Sequence, residues 1–461
     1  MSLDALLKPR SIALVGATEN QPGIGQLFAS LDYMGFKGGV YPINPRYPKV
    51  FGKTCYPSLK DLPEVPDVVA FRVGYQRVLD SFVHLPELGI KGAVIYDGGF
   101  AEQDEDGKKL QATIKGLCDE GGISLCGPNC MGVFNPHGRS ATYMMPVRDL
   151  EAVRGNVGLV SHSGGFAITM MNDARRYGFS VAISCGNEAA TTVADYIDWM
   201  VDDPNTKVIA CFIEAIRAPE KFVAALDRAD KAGKPVVILK VGKSARTRKN
   251  ILGHTAGISD EPVAFSKMLK AHRAIEVRDT DEMCEVLTVC QGKRWPKGGR
   301  TSFVVGSGGV AELVLDIAEQ EGIEVPIPTP EVRAHAESVI GKLPGDANPI
   351  DAWGHGEFDR NLPHGLKVLD ADPNTDVIVQ CVDNFDRSPM GNPDFAPGLV
   401  AKLVDASNNS KKPHYLLGMR GGILNPVQVE ILKKADAEVL TGTRAGLRAI
   451  DYMAKWHNRT L

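Results

Sequence analysis

The chain of 461 residues contains no apolar run of the roughly 18 residues that a membrane-spanning helix needs. Its opening stretch, MSLDALLKPR, has an early aspartate and no apolar core of signal-peptide length, which predicts a cytoplasmic protein with no membrane role. A strong charge of either sign is also missing. The net charge of −4 gives no global pull toward nucleic acid, so any anionic ligand has to be gripped locally. The nine cysteines are odd in number and scattered from Cys55 to Cys381 without a CxxC pair. That excludes a disulfide framework and a zinc site, and no metal ligand is assigned. A GxGxxG fingerprint is absent as well. VGKS (241–244) ends like a P-loop, but Val237 stands where GxxxxGK[ST] needs its first glycine, so a Walker motif is rejected.

What is present is an alternation of short β-branched runs with amphipathic stretches. SIALVGA, GGVYPINP, DVVAFRV, GAVIYDGG and ISLCGPN predict five strands in the first 130 residues, spaced as right-handed βαβ crossovers require. A second set runs through NVGLVSHSGG, SVAISCGN, KVIACFIEA, PVVILKVGK and AIEVRD. After QGKRWPKGGR (291–300), which reads as a linker, a third comprises TSFVVGSGG, DVIVQCVDN, PHYLLGMRGG and AEVLTG. The expected domains are 1–147, 148–292 and 298–461, all α/β with parallel, doubly wound sheets.

The last two sets echo each other. GLVSHSGGFAITM (158–170) matches SFVVGSGGVAELV (302–314), DPNTKVIACFIE (203–214) matches DPNTDVIVQCVD (372–383), and KPVVILKVG (234–242) matches KPHYLLGMR (412–420). Three matches in one order predict an internal duplication. The copy is incomplete, because His254, twenty residues past Lys234, has no counterpart after Lys412.

Two turns carry chemistry. In VGATENQPGIG (15–25), glycines between a strand and a helix let backbone approach a phosphate at the helix start, unless the turn holds no ligand at all. The second strand ends in Asn44-Pro45-Arg46 rather than the acid that would hold an adenine ribose hydroxyl. Arg46, Lys49 and Lys53 suit a nucleotide with an extra ribose phosphate, such as coenzyme A, better than NAD. SHSGG (161–165) opens an apolar helix pattern with hydroxyls and glycine N–H groups, which makes either an anion cradle or a tight βα turn.

GATENQPGIG, NPRYPKVFGKTCYPSLKDLP, GPNCMG, SHSGG, GNEA with Asp195, DPNTKVIACFIE, KPVVILKVGKS, GHTAG and NPIDAWG follow one another in order along nearly the whole chain. In this the sequence resembles the α subunit of the NDP-forming acyl-CoA synthetases, within the succinyl-CoA synthetase-like superfamily. The resemblance implies an N-terminal Rossmann-like CoA-binding domain followed by two flavodoxin-like ligase domains. It implies that His254 carries a phosphoryl group as a covalent intermediate and that Glu214 accepts one imidazole N–H. It further implies a phosphate cradle at Ser161, Ser163, Gly164 and Gly165. Gly16, Thr18, Gly25, Asn44 and Arg46 fall in the CoA-phosphate region, and Gly127, Pro128 and Asn129 in the loop near the reacting thiol.

Some positions depart from the family pattern. His162 replaces the usual glutamine and Gly253 the usual serine, and Trp353 and His355 either line an acid pocket or pack a turn. No glycine-rich nucleotide lid or metal-binding carboxylate pair of the ATP-grasp type is found. The implied partner is therefore a separate ATP-grasp β subunit in an α2β2 assembly, holding most of the ATP or GTP with Mg2+. The expected reaction joins a small carboxylic acid to CoA with release of NDP and phosphate. The rivals are a CoA-dependent lyase on this scaffold and a non-catalytic CoA-binding regulator.

Overall fold

The computed structural model describes residues 3–21, 23–172, 176–247, 262–382, 395–421 and 424–461. It divides into two compact units, Met1–Glu276 and Val277–Leu461.

The first unit opens with a sheet of β1 (Ser11–Val15), β2 (Gly39–Ile43), β5 (Val68–Phe71), β6 (Gly92–Ile95) and β7 (Ser124–Cys126). A small hairpin of β3 (Lys49–Val50) and β4 (Lys53–Thr54) follows β2. The sheet runs β2-β1-β5-β6-β7 with parallel pairs throughout. Its central strands are buried along their whole length, which is why SIALV and VVAF read as continuous apolar runs rather than alternating ones.

The second sheet takes β8 (Gly132–Asn135), β9 (Ser140–Ala141), β10 (Arg154–Ser161), β11 (Phe179–Ser184), β12 (Val208–Ile213), β13 (Val236–Lys240) and β14 (Ile275–Val277). The order is β14-β13-β12-β10-β11-β8-β9. In the second unit, β15 (Thr301–Val305), β16 (Ile350–Asp351), β17 (Val377–Cys381), β18 (His414–Gly418) and β19 (Ala437–Thr441) run β16-β15-β17-β18-β19.

Leaving out the two hairpins and counting along the chain within each set, all three sheets have the order 2-1-3-4-5. That is the flavodoxin-like winding, with its switch point beside the first strand. The duplication expected from the sequence is thus matched strand for strand, with β16 in the place of β11.

Two expected boundaries are crossed. Residues 132–141 lie inside the expected 1–147 domain, yet β8 pairs antiparallel with β11 and so extends the second sheet. Their short, turn-rich sequence gives no strand signal of its own. The helix Thr280–Val289 and the stretch 291–300 were expected to end the second domain and link it to the third. Both are integral to the second unit. Glu285 accepts from the backbone N–H and hydroxyl of Thr441 at 3.0 and 2.8 Å. Arg294 threads the unit, bonding Asp436 Oδ2 at 2.7 Å and the carbonyls of Ser407 and Ser410 at 2.8 Å each. Composition shows the glycines and proline of this stretch, but not where its arginine plugs in.

Candidate functional site

The described residues singled out in the first unit lie at or just beyond the carboxyl ends of parallel strands, where doubly wound sheets bind ligands. Gly16 follows β1 with φ at +88°, and a Cβ there would lie 2.3 Å from the Arg72 carbonyl, so only glycine fits. The N–H groups of Gly16 and Ala17 both donate to the Ile43 carbonyl. Asn44, after β2, donates through Nδ2 to the Ala17 carbonyl at 2.9 Å and accepts the Arg46 N–H on Oδ1 at 3.0 Å. Thr18 Oγ1 accepts the Asn20 N–H, and Gly25 faces the Phe51 ring. Asn44 therefore ties the glycine-rich turn to the Arg46 turn. Arg46 is exposed, and its guanidinium has no partner among the described residues, so its charge is available to a ligand.

Gly127, Pro128 and Asn129 follow β7. Gly127 has φ at +102°, the Gly127–Pro128 bond is cis, and Asn129 has φ at +59°. The loop is gripped from two sides. Asn129 N–H donates to the Asp97 carbonyl at 3.1 Å. Burial raises the Asp97 carboxyl, and its ion pair with Arg72 works against that. On the other side stands the loop after β11. Gly127 N–H donates to the Cys185 carbonyl at 3.1 Å, Asn187 N–H to that of Pro128 at 2.8 Å, and Ala189 N–H to that of Gly127 at 3.1 Å. The expected thiol-end loop and the second sheet are thereby one interlocked structure.

The SHSGG turn closes β10. Ser163 Oγ accepts the Phe166 N–H at 3.2 Å near the start of the helix Gly164–Asn172. Ser161 is fully buried, and its hydroxyl is committed within the turn, donating to the Ser163 carbonyl at 2.7 Å and accepting the Ser163 N–H at 3.1 Å. Ser161 thus shapes the turn, and the polar groups at the helix start that could take an anion are the Ser163 hydroxyl and the N–H groups of Gly164 and Gly165.

Glu214 follows β12. Its carbonyl accepts from Lys240 Nζ at 2.9 Å, and its N–H donates to His162 Nδ1 at 2.9 Å. No described residue bonds or pairs with its carboxylate. His254 lies outside the described residues, as does Gly253.

Sequence reasoning assigned no role to Glu188. Its carboxylate is buried, with Oε2 3.2 Å from His162 Nε2 and Oε1 accepting the Val193 N–H. Its backbone takes the left-handed conformation, φ +56°, which is unfavourable for a glutamate and gives no sequence signal. His162, Cys185 and Glu188 bring ligand-type atoms within 4.8 Å of one another. They do not make a metal site. Nδ1 of His162 already accepts a backbone N–H, so the neutral ring keeps its proton on Nε2 and offers no lone pair there. Burial pushes the Cys185 thiol well above its ordinary range, and its S–H is directed at the Ser161 carbonyl at 3.3 Å.

In the second unit Trp353 stacks on Phe358 with centroids 4.8 Å apart, and His355 Nε2 lies 3.0 Å from the Lys342 carbonyl. Both pack a turn. No described helix is long and apolar enough to cross a membrane.

Comparison with known proteins bears on this geometry. Residues 10–136 match the family model described as CoA binding domain, and residues 154–290 match the succinyl-CoA ligase like flavodoxin domain. A trans-feruloyl-CoA synthase, FCS1, of an unknown prokaryotic organism is 29% identical across 100% of this chain, which spans 65% of that protein. The α subunit of the ADP-forming acetate–CoA ligase II of Pyrococcus furiosus is 29% identical, with 94% of this chain and 93% of the relative covered. In fold, the dinucleotide forming acetyl-coenzyme A synthetase 1 of Ca. Korarchaeum cryptofilum, solved with phosphate and ADP, aligns with a TM-score of 0.85 at 24% identity, covering 100% of this chain and 98% of that one. With both domain models matched in sequence order, the chain carries a CoA binding domain followed by a succinyl-CoA ligase like flavodoxin domain, and it is similar over nearly its whole length to the α subunit of an ADP-forming acetate–CoA ligase.

Proposed function

We propose that this chain is the α subunit of an acid–CoA ligase: a carboxylic acid, CoA and ATP or GTP give acyl-CoA, the nucleoside diphosphate and phosphate. The observation that carries the proposal is the interlock of the Gly127–Asn129 loop with the loop after β11, beside the SHSGG turn. A thioester-forming site and a phosphate site have to adjoin, because the thiol of CoA attacks an acyl phosphate and expels phosphate.

In this reading the phosphoryl group is carried by an imidazole nitrogen of His254, and the Glu214 carboxylate accepts the N–H of the other ring nitrogen. That hydrogen bond orients the ring and disperses the positive charge that phosphorylation creates. The Ser163 hydroxyl and the N–H groups of Gly164 and Gly165 neutralise the phosphate at the helix start. The CoA phosphates lie against the 16–25 turn, with Arg46 at the ribose phosphate. ATP or GTP with Mg2+ is held mainly by a separate ATP-grasp β subunit in an α2β2 assembly, and the work is cytoplasmic.

The test uses the chain with its partner polypeptide. Incubation with γ-labelled nucleotide and Mg2+ should label the chain with an acid-labile, alkali-stable phosphoramidate. His254→Ala should fold, bind CoA and lose both label and ligase activity, whereas Glu214→Gln should slow labelling about 10²-fold. Full label on His254→Ala would remove the histidine from the mechanism.

A further inference from the structure

His162 is neither a surface residue nor a packing residue. Its side chain is 4% exposed and joins two loops from different strand ends. On one side is the Glu214 backbone, whose N–H has no choice but to donate, and it donates to Nδ1 at 2.9 Å. That fixes the neutral tautomer with hydrogen on Nε2. On the other side Nε2 lies 3.2 Å from Glu188 Oε2, but its N–H is not directed at that oxygen and makes no hydrogen bond to a described residue. The second oxygen of Glu188 holds the N–H of Val193, the first residue of the helix Val193–Asp202. The residues flanking Glu188 are the ones that bond the Gly127–Pro128 segment.

We infer that His162 is a positioning residue: by accepting the Glu214 N–H and setting its Nε2 edge against the Glu188 carboxylate, it holds the Glu214 end of β12 against the loop holding Gly127–Asn129. Resting on the ligase reading, this means that it aligns the phosphoryl side of the reaction with the thioester side. A glutamine can do the same, accepting through its carbonyl oxygen and turning its amide N–H edge toward the carboxylate. An aliphatic residue can fill the volume but can do neither.

The first measurement needs only the chain. Nitrogen NMR of the protein labelled with 15N-histidine, with the His162 signal identified by its loss in His162→Gln, should show a ring protonated on Nε2 and bare on Nδ1 near neutral pH. A ring protonated on Nδ1 would overturn the inference.

The second uses the α–β complex. His162→Leu should lower kcat for acyl-CoA formation tenfold or more, as small misplacements of reacting groups do, with KM for CoA changed less than threefold. His162→Gln should recover activity to within about threefold of the native chain. Equal activity in the leucine and native proteins, or equal loss in the leucine and glutamine variants, would defeat the positioning role. If the native complex itself neither takes up label nor makes acyl-CoA, the ligase reading fails instead, and the NMR measurement still decides the bridge.

Discussion

Lys412 donates from its ammonium group to the main-chain carbonyl of Asp372 at 2.7 Å. Lys234 does the same to Asp203 at 2.8 Å, with a second bond to the Met200 carbonyl at 3.0 Å, as Lys412 has to that of Asp370 at 2.5 Å. The two DPNT turns of the duplicated domains are thus clamped by the lysines that precede β13 and β18. Burial pushes both ammonium groups below their ordinary pKa, and neighbouring aspartates pull the other way. Replacing either lysine by methionine leaves two carbonyls without their charged donor. Each variant should lose about 1.5–3 kcal/mol, the range for a hydrogen bond to a charged group, measured by urea unfolding. Midpoints unchanged in both would show that the clamp is incidental.

Arg46 bears on nucleotide choice. If its unpaired guanidinium reads the ribose phosphate, calorimetry should find CoA bound about tenfold more tightly than dephospho-CoA, the yield of one charge-assisted contact. Arg46→Ala should erase the difference. Equal affinity for the two ligands in the native protein would move the ribose phosphate elsewhere.

Gly186 tests the interlock of the two loops. A Cβ there would stand 2.2 Å from the Pro128 carbonyl oxygen and 2.3 Å from that of Asn129, at a φ of +58° that alanine resists. Both carbonyls are backbone and cannot swing aside. Gly186→Ala should cost about 2 kcal/mol or more and weaken CoA-dependent turnover. An alanine variant matching the native melting temperature would mean that the loops part easily.

Asp376 sets a pH dependence for the second unit. Burial raises its carboxyl, but Arg300, at 2.9 Å through Nε and 2.7 Å through a terminal nitrogen, outweighs this and leaves it below the ordinary 3.8. A depressed acid stabilises the fold above its unfolded value and ceases to do so as pH falls through the folded one. Asp376→Asn should therefore cost about 0.5–1 kcal/mol near neutrality, after solvent screening, and the two proteins should converge below pH 3.8. A gap that persists at low pH would point to lost packing instead.

The parallel strands were legible because full burial writes them as unbroken apolar runs, and βα turns place their glycines and serines at fixed offsets. Short pieces escaped. Ile350–Asp351 is a two-residue strand, and Gly132–Asn135 pairs antiparallel with a partner 47 or more positions away. The cradle and the Arg46 turn could be read because their residues are close in sequence. The bridge from Glu214 through His162 to Glu188 could not be, since its members come from three strand ends. Only His162 stood out, as a departure from glutamine. Ser161 is of a residue type that suits a phosphate site, and only the structure shows its hydroxyl bonded within its own turn.

The hairpin of β8 and β9 makes the first two sheets inseparable in a practical sense. A fragment ending near residue 147 would carry a hairpin whose strand β8 has lost its partner β11 to the portion removed, and the remainder would expose the edge of β11 that β8 covers. Each piece would then present unpaired strand edges and tend to aggregate. Swapping the CoA-binding part between relatives therefore requires a cut ahead of Gly132, so that the hairpin travels with the sheet it completes rather than with the one it follows in sequence.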